Sequence, residues 1–194
     1  MDTAISLSKR QVRAEIAALK RKFSATELGE FSSAVVSRLE QTEEFRNAAV
    51  LFIYYGVDDE VCTRGLIEKY LGTKRILLPV VEGNDLLLRE LEDIEQMEVA
   101  TYGILEPKGG AVFRDYPDID LAVIPGVAFD RKLHRLGRGK GFYDRLLPVV
   151  KAPKIGLCFD FQLRESIPFD MDDVPMDRVI TQREEVKKLD ALSS

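Results

Sequence analysis

The residues with the most chemical potential in this sequence lie in the segment RLGRGKGFYD, residues 135–144. Glycine occupies the alternate positions 137, 139 and 141, and Arg135, Arg138 and Lys140 are interleaved with these glycines. Glycines spaced in this way let successive backbone N–H groups point into one concavity, and the missing Cβ atoms let an anion approach closely. Three cations within six residues supply the positive charge that a phosphate requires. The pattern therefore favours a phosphate-binding loop, with a solvated basic turn as the alternative.

Asp144 ends this segment and suggests a second function. Its carboxylate could hold Mg²⁺ on bound phosphates, because hard cations prefer oxygen ligands. An acid in the first turn of a helix is equally well explained by the helix dipole. The segment is not a P-loop, because it lacks Gly-Lys-Ser/Thr, and its glycine spacing differs from that of a dinucleotide-binding fingerprint.

The apolar residues of the sequence predict the elements that position this segment. Spacings of three and four predict long amphipathic helices over residues 8–23, with Ser8 as N-cap, and over 24–41, where Ser24 and Glu27 form a capping box. Apolar, β-branched and aromatic runs predict strands at 48–55, 75–81, 86–91, 120–127, 155–159 and 178–181. The remaining predictions are helices over 60–71 and 144–150, a helical turn over 93–99 and an extended segment over 102–107.

Strands that alternate with helices predict an α/β fold. We expect one domain over residues 1–194, built as an open, largely parallel twisted sheet with helices on both faces. Ligands of such sheets bind outside the carboxyl ends of the strands. The loops after the strands at 48–55, 75–81 and 120–127 are therefore the expected location of the chemistry.

The composition excludes several classes of protein. With 45% hydrophobic and 31% charged residues, the 194-residue chain is not disordered, collagen-like or a disulfide scaffold. Its net charge of −5 argues against binding nucleic acid through the general field of the protein. No apolar run is long enough for a signal peptide or a membrane helix, so we predict a cytoplasmic protein. We expect Cys62 and Cys158 to be reduced thiols in or near a core.

Beyond these general features, the segments PGVAFD at 125–130 and RLGRGKGFYDRLL at 135–147 closely resemble the signature of the 5-formyltetrahydrofolate cyclo-ligase family. Weaker similarities follow the order of the family's motifs along almost the whole chain. They are KRQVR at 9–13, DEV at 59–61, LPV at 78–80, YGILEP at 102–107, and the stretch from Ile167-Pro168 through Asp173 and Asp177.

The resemblance implies an ATP- and Mg²⁺-dependent enzyme that closes 5-formyltetrahydrofolate to 5,10-methenyltetrahydrofolate and releases ADP and phosphate. In the family's scheme the formyl oxygen attacks the γ-phosphate, N10 adds to the resulting imidate-like carbon, and phosphate leaves. The enzyme must hold both substrates in line and neutralise charge on the transferred group. We expect a monomer whose partners are these small molecules, with no nucleic acid or membrane.

The same resemblance implies roles for individual residues. The catalytic residues are Arg138 and Lys140, which stabilise the transferring phosphoryl group, and Asp144 and Asp173 match the metal ligands. Tyr55 and Glu60 match folate contacts, to which the segment Arg138, Gly139, Lys140, Gly141 and Phe142 also contributes. The residues that match nucleotide contacts are Lys9, Arg13, Arg135, Leu136, Gly137, Arg138, Gly139, Lys140, Gly141, Phe142 and Tyr143.

The residue types alone leave simpler explanations open for several of these positions. Lys9 and Arg13 could be a solvated helix face, and Glu60 an acid at a helix N-terminus. Tyr55 could be a core residue at the end of a strand, and Tyr143 a helix-packing aromatic. His134, the single histidine, receives no role.

The sequence departs from the family pattern at two places. Leu133 stands where many members have glycine, which affects how the chain enters the glycine-rich segment. Asp172 stands where members often have histidine, so that it competes with Asp173 for the metal. The alternative functions are a small-molecule kinase, a binding module without turnover, and an interaction protein with a basic docking turn.

Overall fold

A computed structural model of the chain describes residues 2–56, 60–99, 105–171 and 173–188. The helices are α1 (Asp2–Lys20), α2 (Ala25–Glu40), α3 (Glu43–Asn47), α4 (Arg64–Tyr70) and α5 (Phe142–Leu146). The strands are β1 (Val50–Ile53), β2 (Arg75–Glu82), β3 (Asp85–Leu91), β4 (Met97–Val99), β5 (Leu105–Pro107), β6 (Val112–Phe113), β7 (Leu121–Pro125), β8 (Ala128–Asp130), β9 (Arg135–Leu136), β10 (Lys154–Leu157), β11 (Leu163–Arg164), β12 (Arg178–Ile180) and β13 (Glu185–Lys187).

The central sheet has eight strands in the order β13-β12-β10-β7-β1-β2-β3-β6. The five strands from β12 to β2 run parallel, and antiparallel strands flank them on both sides. β1 lies between β7 and β2, so its carboxyl end is near the middle of the sheet. The predicted α/β fold with a largely parallel sheet is confirmed.

Hydrophobic cores form on both faces of this sheet, because successive side chains of a strand point to opposite sides. Leu51 and Ile53 of β1 belong to one core, which α2 and α4 cover with residues such as Val35 and Ile67. Phe52 of β1 belongs to the other core, which includes Leu146 of α5. The helices therefore lie on both faces, as predicted.

The helix α1 packs on a second, small sheet in the order β11-β8-β9. Its Ile16 is buried against Ala128, Leu136 and Ile167, and Val12 and Leu19 pack beside it. The apolar spacing predicted this face correctly. Because Leu136 immediately precedes the glycines, its packing against Ile16 holds α1 in a fixed position beside the glycine-rich segment.

Several predicted element ends differ from the structure. The capping box of Ser24 and Glu27 is confirmed, but α1 begins at Asp2, so the prediction of Ser8 as an N-cap is wrong. The predicted helix at 60–71 begins only at Arg64. The hydroxyl of Thr63 donates to the carbonyl of Tyr54 at 2.6 Å and accepts from the N–H of Gly56, which ties the residues before Arg64 to the end of β1.

Other differences arise from strand pairing and solvent exposure. The predicted helical turn at 93–99 is helical only over Ile94–Gln96, because Met97–Val99 pairs with β5 instead. Both cysteines are free thiols and Cys158 is buried, as expected, but Cys62 is exposed, so its predicted place in or near a core is wrong. In the chain that the structure describes, no helix has the length and apolar character of a membrane span.

Candidate active site

The glycine-rich segment begins with β9, the second strand of the β8–β9 hairpin, and its glycines follow this hairpin beyond the carboxyl end of β7. Asp130, fully buried, fixes the turn of this hairpin by accepting hydrogen bonds from the N–H groups of Lys132 and His134, at 2.9 and 3.0 Å. Its other oxygen accepts from the N–H of Ile167 and contacts Nδ1 of His134. Leu133 adopts a positive φ of 71° in this turn. The chain therefore makes a left-handed bend at Leu133, just before it enters β9.

Two glycines of the segment 137–141 adopt backbone conformations that favour glycine. Gly139 and Gly141 have φ values of 95° and 71°, which L-residues with a Cβ rarely adopt. A Cβ at Gly139 would lie 3.4 Å from the guanidinium of Arg13. The Nε of Arg13 donates to the carbonyl of Gly137 at 2.8 Å, which connects α1 directly to the segment.

A first cavity, of about 550 Å³, opens beside the segment. It brings together most of the residues that the sequence analysis selected. These are Tyr55, Glu60, Arg135, Gly137, Arg138, Gly139, Lys140, Gly141, Phe142, Tyr143 and Asp144. Among the lining residues without a predicted role are Pro79, Val81 and Leu86, which form an apolar wall with Leu105, and Glu106. Leu136 lies outside the cavity lining, because its side chain is buried against α1.

Arg135 holds one side of this cavity in place. Its guanidinium is buried, donates to Oδ1 of Asp144 at 2.5 Å and lies 5.2 Å from the ring centroid of Tyr143. Burial raises the pKa of the Tyr143 hydroxyl, so this group stays protonated at neutral pH. Arg135 therefore positions Asp144 and Tyr143.

A second cavity, of about 620 Å³, lies between α1, the turn that follows it and the glycine-rich segment. Its cations are Arg13, Lys20, Arg21 and Arg138, and its apolar residues include Phe23 and Leu28. Glu60, Gly126 and Arg138 line both cavities. Arg138 donates to Oε1 of Glu60 through Nε at 3.2 Å and Nη2 at 3.0 Å. This ion pair therefore stands at the boundary between the two cavities.

Lys9 lies outside the lining of both cavities. Its ammonium group contacts Asp170 at 2.6 Å and Asp173 at 3.1 Å. Desolvation opposes the charge of Lys9, but the hydrogen bonds to the two carboxylates hold its pKa above the usual value. Oδ2 of Asp173 accepts from Lys9 and from the N–H of Asp170, so this carboxylate is part of an internal network.

The two predicted metal ligands differ in their surroundings. Asp144 lines the first cavity and its side chain is 46% exposed, so it can approach the phosphates of a bound ligand. Asp173 is 16% exposed and bonded to Lys9, and its competitor Asp172 lies outside the described residues. Across the described ranges, no three His, Cys, Asp or Glu residues converge on a metal site. Mg²⁺ needs no such cage, because it binds through one or two carboxylates together with phosphate oxygens and water.

Comparison with known proteins bears directly on this geometry. The model of the 5-formyltetrahydrofolate cyclo-ligase family matches residues 5–182, which include the glycine-rich segment and both cavities. The chain belongs to this family. It is therefore a cyclo-ligase, an enzyme of folate metabolism.

Several relatives of this cyclo-ligase match over almost their full length. The 5-formyltetrahydrofolate cyclo-ligase of Haemophilus influenzae is 32% identical over 87% of this chain and 94% of that protein. A probable 5-formyltetrahydrofolate cyclo-ligase of Schizosaccharomyces pombe is 27% identical over 95% of this chain and 100% of that protein. The NMR structure of Aquifex aeolicus 5,10-methenyltetrahydrofolate synthetase superposes with a TM-score of 0.87 at 34% identity, covering 96% and 95% of the two chains.

The wall of the first cavity that β2, β3 and β5 provide was not predicted from the sequence. Pro79 and Glu106 fall within motifs that carry the family resemblance, but neither received a role. An acid enclosed by Leu105 and Pro107 in an extended segment is the signal that could have drawn attention to Glu106. The second cavity was also missed, because its residues are far apart in the sequence.

Proposed function

We propose that this cyclo-ligase converts 5-formyltetrahydrofolate to 5,10-methenyltetrahydrofolate, with Mg²⁺ and ATP, and releases ADP and phosphate. The observation that supports this most strongly is the position of the glycine-rich segment. It borders two adjoining cavities of different character, and its Arg138 lines both. Two substrates that react with each other require this arrangement.

The character of each cavity suggests which substrate it accepts. The second cavity is rich in cations, and Phe23 and Leu28 add apolar surface, which suits a nucleotide with its phosphates toward Arg13 and Arg138, at the boundary with the first cavity. The first cavity combines an apolar wall with Tyr55 and Glu60, which suits the flat, polar-edged ring of a reduced pterin. We assign ATP to the second cavity and folate to the first.

The roles of the basic residues follow from this assignment. Arg13 and Arg138 line the second cavity and face the phosphates there, Lys140 approaches the γ-phosphate from the first cavity, and Arg135 acts by positioning Asp144. Lys9 is proposed to exchange its present carboxylate partners for phosphate oxygens when ATP binds. Leu136 contributes through its backbone and through its packing against α1.

The chemistry proceeds in two displacements. The formyl oxygen attacks the γ-phosphorus, a new O–P bond forms, and the bond to the β-phosphate oxygen breaks to release ADP. N10 then bonds to the formyl carbon and loses its proton, while the C–O bond breaks and inorganic phosphate leaves. Arg138 and Lys140 stabilise the charge on the transferring phosphoryl group. Asp144 and Asp173 are proposed to hold Mg²⁺, which supplies further neutralising charge at the phosphate oxygens.

We further propose that all 194 residues act as one cytoplasmic, monomeric domain. Its partners are then the two small-molecule substrates, without nucleic acid or membrane. A net charge of −5 supports the absence of a nucleic-acid partner, because the general field of the protein repels polyanions.

A direct assay tests the proposed activity. Purified protein is mixed with 5-formyltetrahydrofolate and Mg-ATP, while the absorbance of the methenyl product and the release of ADP are followed. We expect both products in equal amounts, and neither when ATP or Mg²⁺ is omitted. A phosphorylated folate that persists would indicate a kinase instead. Folate binding without either product would indicate a binding module.

A further inference from the structure

Glu106 is a buried acid in the wall of the first cavity. It lies in β5, is 5% exposed and lines the cavity together with Pro79, Val81 and Leu86. Glutamate is rarely buried to this extent unless its carboxylate has partners. Its position therefore requires an explanation in terms of what the carboxylate binds.

The described part of the protein provides only some of the hydrogen-bond donors that the Glu106 carboxylate could accept from. Within the described residues, the side chain of Glu106 accepts one hydrogen bond, from the N–H of Val81 to Oε1 at 3.2 Å. A carboxylate can accept about four hydrogen bonds, so most of its capacity is unused by this contact. Burial raises the pKa of Glu106, and the bond from Val81 only partly offsets this. A ligand that donates to this carboxyl group would satisfy it.

Glu60 also lines this cavity and has a predicted folate contact, but its carboxylate has a charged partner. Its carboxylate is paired with Arg138, a cation at the boundary with the second cavity. Glu106 is surrounded instead by apolar side chains, among which a hydrogen bond to a ligand is strong and selective. An apolar wall with one acceptor matches a flat heterocycle with N–H groups at its edge.

We propose that Glu106 is a substrate-contacting residue that determines specificity, and that its carboxyl group accepts a hydrogen bond from an N–H group of the reduced pterin. This inference depends on the proposed function, because it assumes that folate occupies the first cavity. Glu106 then adds a folate contact from the strand wall of the cavity to the contacts proposed for Tyr55 and Glu60.

The variant Glu106→Gln tests this proposal, because it keeps the size of the side chain and an oxygen for the N–H of Val81. Its amide nitrogen can donate but cannot accept. We expect the dissociation constant for 5-formyltetrahydrofolate to rise about ten- to a hundredfold, which corresponds to the loss of a hydrogen bond to a charged group. The KM for ATP should change less than about twofold. Isothermal titration calorimetry without ATP measures the folate affinity, and the methenyl assay gives the KM values.

The control is Glu98→Gln on the same hairpin. Glu98 lies directly opposite Glu106 in the β4–β5 ladder, but it is exposed and ion-paired with Lys108 at 3.3 Å. We expect this variant to bind folate like the wild type. If wild-type protein forms the methenyl product and Glu106→Gln binds folate with unchanged affinity, the inference is wrong while the proposed function stands. If the wild type forms no product, the proposed function itself fails.

Thermal unfolding of each variant separates a lost contact from a lost fold. Should Glu106→Gln not fold, Glu106→Asp takes its place, because aspartate keeps the charge and withdraws the carboxylate by one methylene. A severalfold weaker affinity for folate in that variant supports the contact. An affinity equal to that of the wild type contradicts it.

Discussion

Arg138 is the residue through which the two cavities meet. It is exposed, lines both cavities and bonds Glu60 with two nitrogens, so its guanidinium is held where the two substrates would approach each other. In the proposed reaction, a cation at that point would act on charge that develops during phosphoryl transfer rather than on the bound ground state.

We therefore expect Arg138→Ala and Lys140→Ala to lower kcat by about 100-fold each, with much smaller effects on the folate dissociation constant. Steady-state kinetics and calorimetry provide the two quantities. Lys132→Ala, which removes an exposed cation from the β8–β9 turn, serves as the control and should retain wild-type kcat. Variants that change only thermal stability would show that the segment is structural.

Leu133 combines backbone strain with burial. Its φ of 71° costs about 1–2 kcal/mol for a residue with a Cβ, yet its side chain is 7% exposed and packs in the core with α5. The buried side chain thus keeps a bend that glycine would make without strain.

Because the backbone of Leu133 is strained, we expect glycine at this position to be more stable than alanine, the reverse of the usual order. Leu133→Ala should lower the free energy of unfolding by about 2–5 kcal/mol, because it loses the packing and keeps the strain. Leu133→Gly loses the same packing but relieves the strain, so we expect it to be about 1 kcal/mol more stable than Leu133→Ala. Chemical denaturation measures both values. At an ordinary backbone position alanine would be the more stable of the two, and that result here would contradict the strain.

At the scale of elements, the contact between α1 and the glycine-rich segment is decisive. Gly139 lies under the guanidinium of Arg13, whose Nε bonds the carbonyl of Gly137. The position thus combines a positive φ with van der Waals contact to a side chain of α1.

Gly139→Ala is expected to lower kcat/KM for ATP by about tenfold or more, because a small displacement of a substrate-positioning backbone is costly. Stability should fall by only about 1–2 kcal/mol. Gly29→Ala is the matched control, since it lies in α2 with no heavy atom within 4 Å of the added Cβ. That variant should keep full activity and gain about 0.5–1 kcal/mol from helix propensity. Equal activity of Gly139→Ala and Gly29→Ala would show that the backbone of the glycine-rich segment can shift without loss of function.

The capping box of α2 predicts a dependence of stability on pH. The N–H and hydroxyl of Ser24 each donate to Oε2 of Glu27 at 2.8 Å, and the bond from the backbone N–H is the larger cause of the lowered pKa of Glu27. A pKa that is lower in the folded state stabilises the fold above the unfolded-state pKa, and this contribution is lost as the pH falls through the folded-state value.

Glu27→Ala should therefore be less stable than the wild type at pH 7, and the difference should shrink below about pH 4. Thermal unfolding across this pH range measures the effect. Glu30→Ala, at an exposed glutamate of the same helix outside the box, controls for changes in helix propensity. A difference that persists unchanged in acid would mean that the ionised carboxylate of Glu27 does not stabilise the cap.

Elements with long apolar patterns could be predicted from the sequence, and most short ones could not, although the three-residue β12 was predicted at 178–181. The faces of α1 and α2 and the strands β1, β2, β7 and β10 are evident, because each pattern is long or strongly apolar. Strands of two or three residues, such as β9 and β13, contain too few residues to show a period and form through pairing with neighbours. The start of α4 depends on Thr63 bonding the end of β1, a tertiary contact.

The candidate site shows the same division. The glycine-rich segment is contiguous, so its residues could be selected together, and the structure places most of them around one cavity. Glu106 and the second cavity depend on how distant strands and helices meet, which local sequence does not specify. Lys9 and Asp173, selected separately, turn out to be bonded to each other.

At the scale of the whole molecule, the edges of the central sheet support the proposed monomeric state. β6 has two residues, and β13 has three, of which Glu185 and Lys187 are exposed and charged. Short or charged edge strands resist pairing with another chain. In the described part of the chain the exposed large apolar residues are Val99, Val149, Phe169 and Met171, too few for the core of a stable dimer interface.

Light scattering after size exclusion should therefore give a mass near the 21.9 kDa of one chain, independent of protein concentration. Samples from about 1 to 100 µM cover the range in which a functional dimer would dissociate. A mass twice as large at the lowest concentration would show that another surface mediates association.

The contact of Lys9 with Asp170 and Asp173 joins residues 161 and 164 positions apart, and Arg13 reaches Gly137 across 124 positions. During synthesis α1 therefore leaves the ribosome long before its partners do, and until they emerge its apolar face has nothing to pack against. Turnover can begin only after the last quarter of the polypeptide has emerged and closed this long loop. A chain interrupted before that point remains without activity, however well its early segments have folded.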